Sequence, residues 1–136
     1  MQTRLDKIIS VKEKEKVSLL ADHSASVSAF EASATRLYEL LKQSEDVKID
    51  QEEQLKNGMK MQDVILKQAY LHGIERSLVK LQIEVGEARK NMEGTEAVLM
   101  EKQMEVEKFK KMREKKLKNL LSFLNHEENK HCLFSS

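Results

Sequence analysis

Proline and tryptophan are absent from this chain, glycine occurs four times and cysteine once in 136 residues. Without proline nothing forbids a helix interior, and so little glycine leaves scant material for tight turns. Aromatic residues make up only 4%, too few for a conventional large core, so one elongated helical domain is expected rather than a compact globule. No stretch approaches the roughly 20 apolar residues that a bilayer-spanning helix needs, so any membrane contact is expected to be peripheral. Met1 to Lys16 alternates apolar and charged residues and lacks the apolar block of a signal peptide. Cys132 has no second cysteine to pair with, which fits a reducing, cytoplasmic setting. Charge of one sign is not in excess either: 24 Lys+Arg stand against 23 Asp+Glu. That balance excludes a globally basic nucleic-acid binder.

Catalytic signatures are also missing. There is no G-x-x-x-x-G-K-[ST] phosphate loop, no G-x-G-x-x-G and no nucleophile beside a base, so neither enzyme activity nor a cofactor is expected. His126, Glu127, Glu128 and His131 give HExxxH, not the HExxH spacing that sets two histidines one turn apart on a common face. With Cys132 adjacent, this stretch reads as a polar tail rather than a metal site.

What the chain does have is a seam. Leu71, Ile74, Leu78, Leu81, Val85, Ala88, Met92, Thr95, Leu99, Lys102, Val106 and Phe109 follow one another at spacings of three and four, and ten of these twelve are apolar. A 3.5-residue repeat drifts around a straight helix and is buried fully only against a helix that supercoils with it. A second seam lies upstream: Leu20, His23, Val27, Phe30, Ala34, Leu37 and Leu41, with His23 as a hydrogen-bonded core histidine. The Lys12 to Lys16 run, Lys-Glu-Lys-Glu-Lys, separates it from Leu5, Ile8 and Ile9.

Between the seams periodicity fades, and Asn57-Gly58 is the one strong turn signal, since both residues tolerate positive φ. Gln51, Glu52, Glu53 and Gln54 are compatible with continuing the first helix before it breaks. The expected fold is therefore all-α: an antiparallel two-helix coiled-coil hairpin, with helices at about 3–47 and 63–124 joined by a connection at about 48–62. Residues 1–124 form this single domain, and 125–136 are expected to be a flexible polar tail. With a turn centred near residue 55, position i faces about 110 − i, so Leu37 meets Gly73 and Leu5 lies near Met104 to Val106. The second helix then overhangs at its C-terminal end, beyond about Lys110.

The overhang is a candidate binding element. Lys108, Lys110, Lys111, Arg113, Lys115, Lys116 and Lys118 surround the single acid Glu114, and Leu117, Leu120, Leu121, Phe123 and Leu124 supply uncovered apolar surface. Such a basic amphipathic helix suits an acidic protein groove or an anionic membrane surface. Nucleic acid is not expected, because only Phe109 and Phe123 interleave the cations as stacking aromatics. Tyr38 and Tyr70 lie off both seams near the closed end and are expected to be at least partly exposed.

Several runs, in order and spacing, resemble the FliJ family of bacterial flagellar export proteins. They are Leu5-Asp-Lys-Ile-Ile-Ser-Val-Lys-Glu-Lys-Glu-Lys16, Leu37-Tyr-Glu-Leu-Leu41, Asn57-Gly-Met59, Gln68-Ala-Tyr-Leu71 and Val106-Glu-Lys-Phe-Lys-Lys-Met-Arg-Glu-Lys-Lys116. The resemblance implies a stalk-like antiparallel coiled coil that inserts into the hexameric ring of the export ATPase. It also implies contact with the cytoplasmic part of the export-gate membrane protein, and with export chaperones, at the cytoplasmic face of the cell membrane. By the matched Gln-x-aromatic-aliphatic run, the gate-binding patch falls on Tyr70, Ile74, Ser77 and Leu81, with Arg36 and Leu40 from the first helix. Ile74 and Leu81 are also seam residues, so burial and exposure compete there. The basic overhang, Lys110, Lys111, Arg113, Lys115, Lys116 and Lys118 with Leu117, Leu120 and Leu121, is then the expected ATPase-ring contact. The alternatives are a structural rod that dimerises through this overhang, a membrane-surface helix protein, and the corresponding rod of virulence-type secretion.

Overall fold

The computed structural model describes residues 3–134, with side chains described through residue 131. Two helices make up the fold, α1 (Arg4–Lys56) and α2 (Met61–Phe134), and among the described residues there is no strand. The all-α helical hairpin expected from the two seams is what forms.

Local chemistry explains both ends of α1. The Thr3 backbone N–H donates to Asp6 Oδ2 at 3.2 Å, and the Asp6 N–H donates to Thr3 Oγ1 at 3.1 Å. This reciprocal capping box satisfies two of the backbone donors that every helix start leaves open. At the other end, Gly58 takes a φ of +89°, a conformation that costs glycine little and an L-residue side chain more. α2 restarts almost at once, with the Lys60 carbonyl accepting the N–H groups of Asp63 and Val64 at 3.0 and 3.1 Å.

The helices are thus longer than expected. The run Gln51 to Leu55 consists of good helix formers and stays in α1, so the connection at 48–62 shrinks to the four residues 57–60. Residues from 125 onward, expected as a tail, instead continue α2 to Phe134, because nothing between Ser122 and His131 interrupts a helix. Ser135 and Ser136 lie outside the described residues.

The chain divides into two compact units: residues up to Ala21 with those from Glu96 onward, and Asp22–Thr95. Within Asp22–Thr95 the helices run antiparallel, as the pairs Arg36–Glu84, Asp50–Lys67 and Gln51–Gln68 establish. Arg89 stacks its guanidinium 5.5 Å from the Phe30 ring centroid. The seam of α2 is as expected here, with Leu71, Ile74 and Val85 buried and Leu78, Leu81, Ala88, Met92 and Thr95 half-buried.

The seam of α1 is not as expected. His23, Phe30 and Leu37 belong to it, but the positions that follow each of them are Ser26, Ser33 and Leu40 rather than Val27, Ala34 and Leu41. Ser26, Ser33 and Ser44 are 4%, 4% and 3% exposed, whereas Leu41 is 42% exposed and Leu20 43%. A small side chain at the seam allows close helix approach, and its hydroxyl is satisfied locally. Ser26 Oγ donates to the His23 carbonyl at 2.7 Å and Ser33 Oγ to the Phe30 carbonyl at 3.0 Å. Val27 and Ala34 flank the seam, half-buried. His23 Nδ1 and Ser26 Oγ lie 3.1 and 2.7 Å from Thr95 Oγ1, forming a polar layer. A polar layer of this kind fixes the register of a coiled coil at some cost in stability.

The other unit also pairs antiparallel. Ile9, Leu99 and Val106 are its buried apolar residues, with Val106 at 2% exposure. Lys12 and Lys102 occupy seam positions and form an ionic layer with Glu15 and Glu105. Lys102 Nζ lies 2.7 Å from Glu15 and 3.2 Å from Glu105, and Lys12 Nζ lies 3.2 Å from Glu105. Further out, Lys110 pairs with Glu13 at 2.8 Å and Arg113 with Asp6 at 3.2 Å.

In each unit residue i stands opposite about 118 − i, not 110 − i. This register puts Leu37 opposite the Leu81 stretch rather than Gly73, and Leu5 opposite the Arg113 stretch rather than Met104 to Val106. The overhang consequently begins after Arg113, not at Lys110. About 20 residues of α2 extend past the start of α1.

Candidate functional site

Two surfaces carry the candidate contact residues. On the Asp22–Thr95 unit, the six residues of the expected gate patch divide by burial. Tyr70 is 52% exposed, with its hydroxyl accepting a bond from Gln43 Nε2 at 2.8 Å. Ser77 and Arg36 are exposed, and Arg36 reaches Glu84 at 3.9 Å. Ile74 is 6% exposed, while Leu40 and Leu81 are half-buried in the seam. The competition at Ile74 is decided for burial, and its side chain is not a surface contact.

Sequence reasoning passed over a second exposed apolar stripe. Ile65, Val79 and Ile83 stand on the outer face of α2 at 61%, 56% and 57% exposure. Their mutual spacing is helical but offset from the seam, and that offset was the available signal. Ala69, His72, Glu75, Arg76 and Val79 line a shallow groove along this face.

On the other unit, the candidate cations divide in the same way. Lys110 and Arg113 are engaged by Glu13 and Asp6, so they are not the free overhang cations expected. Lys111, Lys115, Lys116 and Lys118 are exposed. Leu117, Leu120 and Leu121 are 57%, 54% and 51% exposed, as an amphipathic helix without a partner must leave them. Where α1 begins, Leu5, Asp6, Arg113, Lys116, Leu117 and Leu120 help line a cleft of about 550 Å³.

The carboxylates at this end are held charged. Asp6 lies below its ordinary pKa because the Thr3 backbone N–H, the Thr3 hydroxyl and Arg113 all bond its ionised form. Glu13 is lowered by Lys110, Glu15 by Lys102, and Glu105 by Lys12 and then Lys102. Lys102 is raised in turn, chiefly by Glu15 and then Glu105.

Both surfaces fall inside one family match. The family described as Flagellar FliJ protein matches residues 1–132. The chain belongs to the FliJ family. A curated Flagellar FliJ protein of Bacillus subtilis (strain 168) is 36% identical over 117 residues, covering 86% of this chain and 80% of that protein. No solved structure matches the chain. The FliJ match takes in the whole of α1, the turn and nearly all of α2, including Tyr70, Ser77 and Arg36 at one surface and Lys111 to Lys118 at the other. Among the described residues no helix is long and apolar enough to cross a membrane.

Proposed function

We propose that this FliJ-family chain is a non-catalytic component of the flagellar export apparatus, a stalk that links the export ATPase ring to the export gate. Family membership over residues 1–132 carries this reading and supports a flagellar export-related role. The exposed α2 cations Lys111, Lys115, Lys116 and Lys118, with Leu117, Leu120 and Leu121, meet the ATPase ring. Charged and apolar groups alternate there as a groove-binding helix requires. Tyr70, Ser77 and Arg36 meet the cytoplasmic part of the gate, with the half-exposed tyrosine ring as anchor, and Ile74 and Leu81 support that surface from within the seam. Export chaperones are further partners, and the protein works peripherally at the cytoplasmic face of the cell membrane. A stiff helical pair seated in a ring biases the ring's subunits through contacts that differ from one subunit to the next.

Pull-down from a detergent-solubilised lysate of a flagellated host tests the assignment. Wild type is expected to recover both ATPase and gate. Lys111→Glu/Lys115→Glu is expected to lose the ATPase alone, and Tyr70→Ala the gate alone. The opposite pattern reverses the polarity. Recovery of neither partner, with self-association only, favours a structural rod that dimerises through the exposed leucines.

A further inference from the structure

The first 18 residues of α1, Arg4 to Ala21, are held to α2 differently from the rest of that helix. Five α1 seam positions fall in this arm, Leu5, Ile9, Lys12, Lys16 and Leu19, and two of them are lysine. Only Ile9 is buried, and Val11 and Val17 point outward at 55% and 66% exposure. Ion pairs between the helices are concentrated here, beside the apolar contacts of Ile9, Leu99 and Val106. Arg113 meets Asp6 at 3.2 Å, Lys110 meets Glu13 at 2.8 Å, Lys102 meets Glu15 at 2.7 Å and Lys12 meets Glu105 at 3.2 Å. Among the described residues of the Asp22–Thr95 unit, two ion pairs, Arg36–Glu84 and Asp50–Lys67, cross between the helices. All the arm's pairs are open to solvent at least in part, so salt screens them in a way it does not screen an apolar seam.

The same contacts cover the cations of α2. Lys110 and Arg113 belong to the basic run that starts at Lys108 and includes Lys111, Lys115, Lys116 and Lys118. Lys102 lies about two turns before it, beyond Glu105 and Glu107. Asp6 and Glu13 therefore sit on one end of that run and Glu15 on the lysine that precedes it. We propose that the arm of α1 is a releasable mask, in which Asp6, Glu13 and Glu15 hold Arg113, Lys110 and Lys102 until an acidic protein surface displaces them. Displacing the arm uncovers three buried apolar residues, Ile9, Leu99 and Val106, so this short apolar strip and the ion pairs together set the cost of release. The incoming carboxylates reproduce the charge-assisted bonds the arm gives up. This inference rests on the reading that the basic stretch of α2 meets an acidic partner, and it adds a control over how much of that stretch is available.

Hydrogen exchange on the full-length protein, with poly-L-glutamate as acidic probe, tests it. Raising NaCl from about 0.05 to 0.5 M is expected to speed amide exchange several-fold in residues 4–21, with residues 22–56 unchanged. Glu13→Gln/Glu15→Gln is expected to give the fast arm at low salt already, and glutamine keeps the helix propensity. At low salt that variant should bind poly-L-glutamate several-fold more tightly than Glu52→Gln/Glu53→Gln, which makes the same change in net charge away from the arm. Arm exchange indifferent to both salt and the Glu13/Glu15 substitutions overturns the proposal. So does an arm that opens while affinity for the polymer equals that of the control. Failure to recover an ATPase in the pull-down alters neither readout, so loss of the export reading and loss of the mask are told apart.

Discussion

Ser33→Asp is the substitution that tests the seam of α1 most directly. If Ala34 were the seam residue, as the apolar pattern suggests, position 33 would lie on the flank and tolerate a carboxylate. In the structure Ser33 is 4% exposed and its hydroxyl donates to the Phe30 carbonyl at 3.0 Å. Aspartate is too short to carry its charge out to water. Ionised, it cannot donate to that carbonyl and instead sets negative charge against it. Burial of such a group costs about 2–4 kcal/mol, equivalent to a fall in melting temperature of roughly 10 °C for a chain of this size. Ser28→Asp supplies the comparison, because Ser28 lies on the same helix and is exposed. It carries the same loss of helix propensity but no burial, and is expected to stay within about 0.5 kcal/mol of wild type. Urea unfolding followed by the helical circular dichroism signal gives both values, with the midpoint shifting at constant slope. Equal, small losses at positions 28 and 33 would refute the serine seam and restore the apolar phase.

Three further outcomes follow from the same geometry. Asp6, Glu13, Glu15 and Glu105 have lowered pKa values, so their contribution is fully present above the unfolded carboxylate pKa of about 4 and is lost as pH falls through the lower folded values. The melting-temperature gap between wild type and Glu15→Gln/Glu105→Gln should therefore hold constant from about pH 7 to 5 and close toward pH 3; a gap that widens on acidification contradicts the pairing. Lys102→Met fills a seam position and removes the two Lys102 pairs of the ionic layer, leaving Lys12–Glu105, so melting temperature is expected to hold or rise and to lose part of its salt dependence; a clear fall would show that the Lys102 pairs are needed for stability. A Cβ at Gly86 meets nothing within 4 Å, so Gly86→Ala should stabilise α2 by up to about 1 kcal/mol. Gly58→Ala forces a side chain onto a φ of +89° and should destabilise by roughly 1 kcal/mol; thermal melts of the two variants should shift in opposite directions.

The resemblance to FliJ was legible in the order of short runs along the chain, and the family match bears it out. The candidate surfaces were legible only in part. An exposed contact and a seam contact draw on the same residue types, so the sequence left Ile74 and Leu81 open to either role, and packing buries Ile74. Lys110 and Arg113 read as free because their partners, Glu13 and Asp6, lie about a hundred residues away in sequence. The exposed Ile65, Val79 and Ile83 were hidden by the stronger seam beside them.

By itself the sequence determined the helices, the turn at Asn57-Gly58 and all twelve seam positions of α2, every one of which is buried or half-buried. These follow from local propensity and from a 3.5-residue repeat written in large apolar side chains, which no partner is needed to read. Tertiary structure alone decided the phase of α1 and the register. Serine carries no apolar signal, and Ser26, Ser33 and Ser44 enter the seam only because a facing helix comes close; the His23 and Phe30 carbonyls take the hydroxyl protons of Ser26 and Ser33. The register depends on where the chain turns. Moving the turn centre from near residue 55 to the observed 57–60 slides every facing pair by about eight positions. That slide is what sets Asp6 on Arg113 and leaves Leu117, Leu120 and Leu121 to solvent.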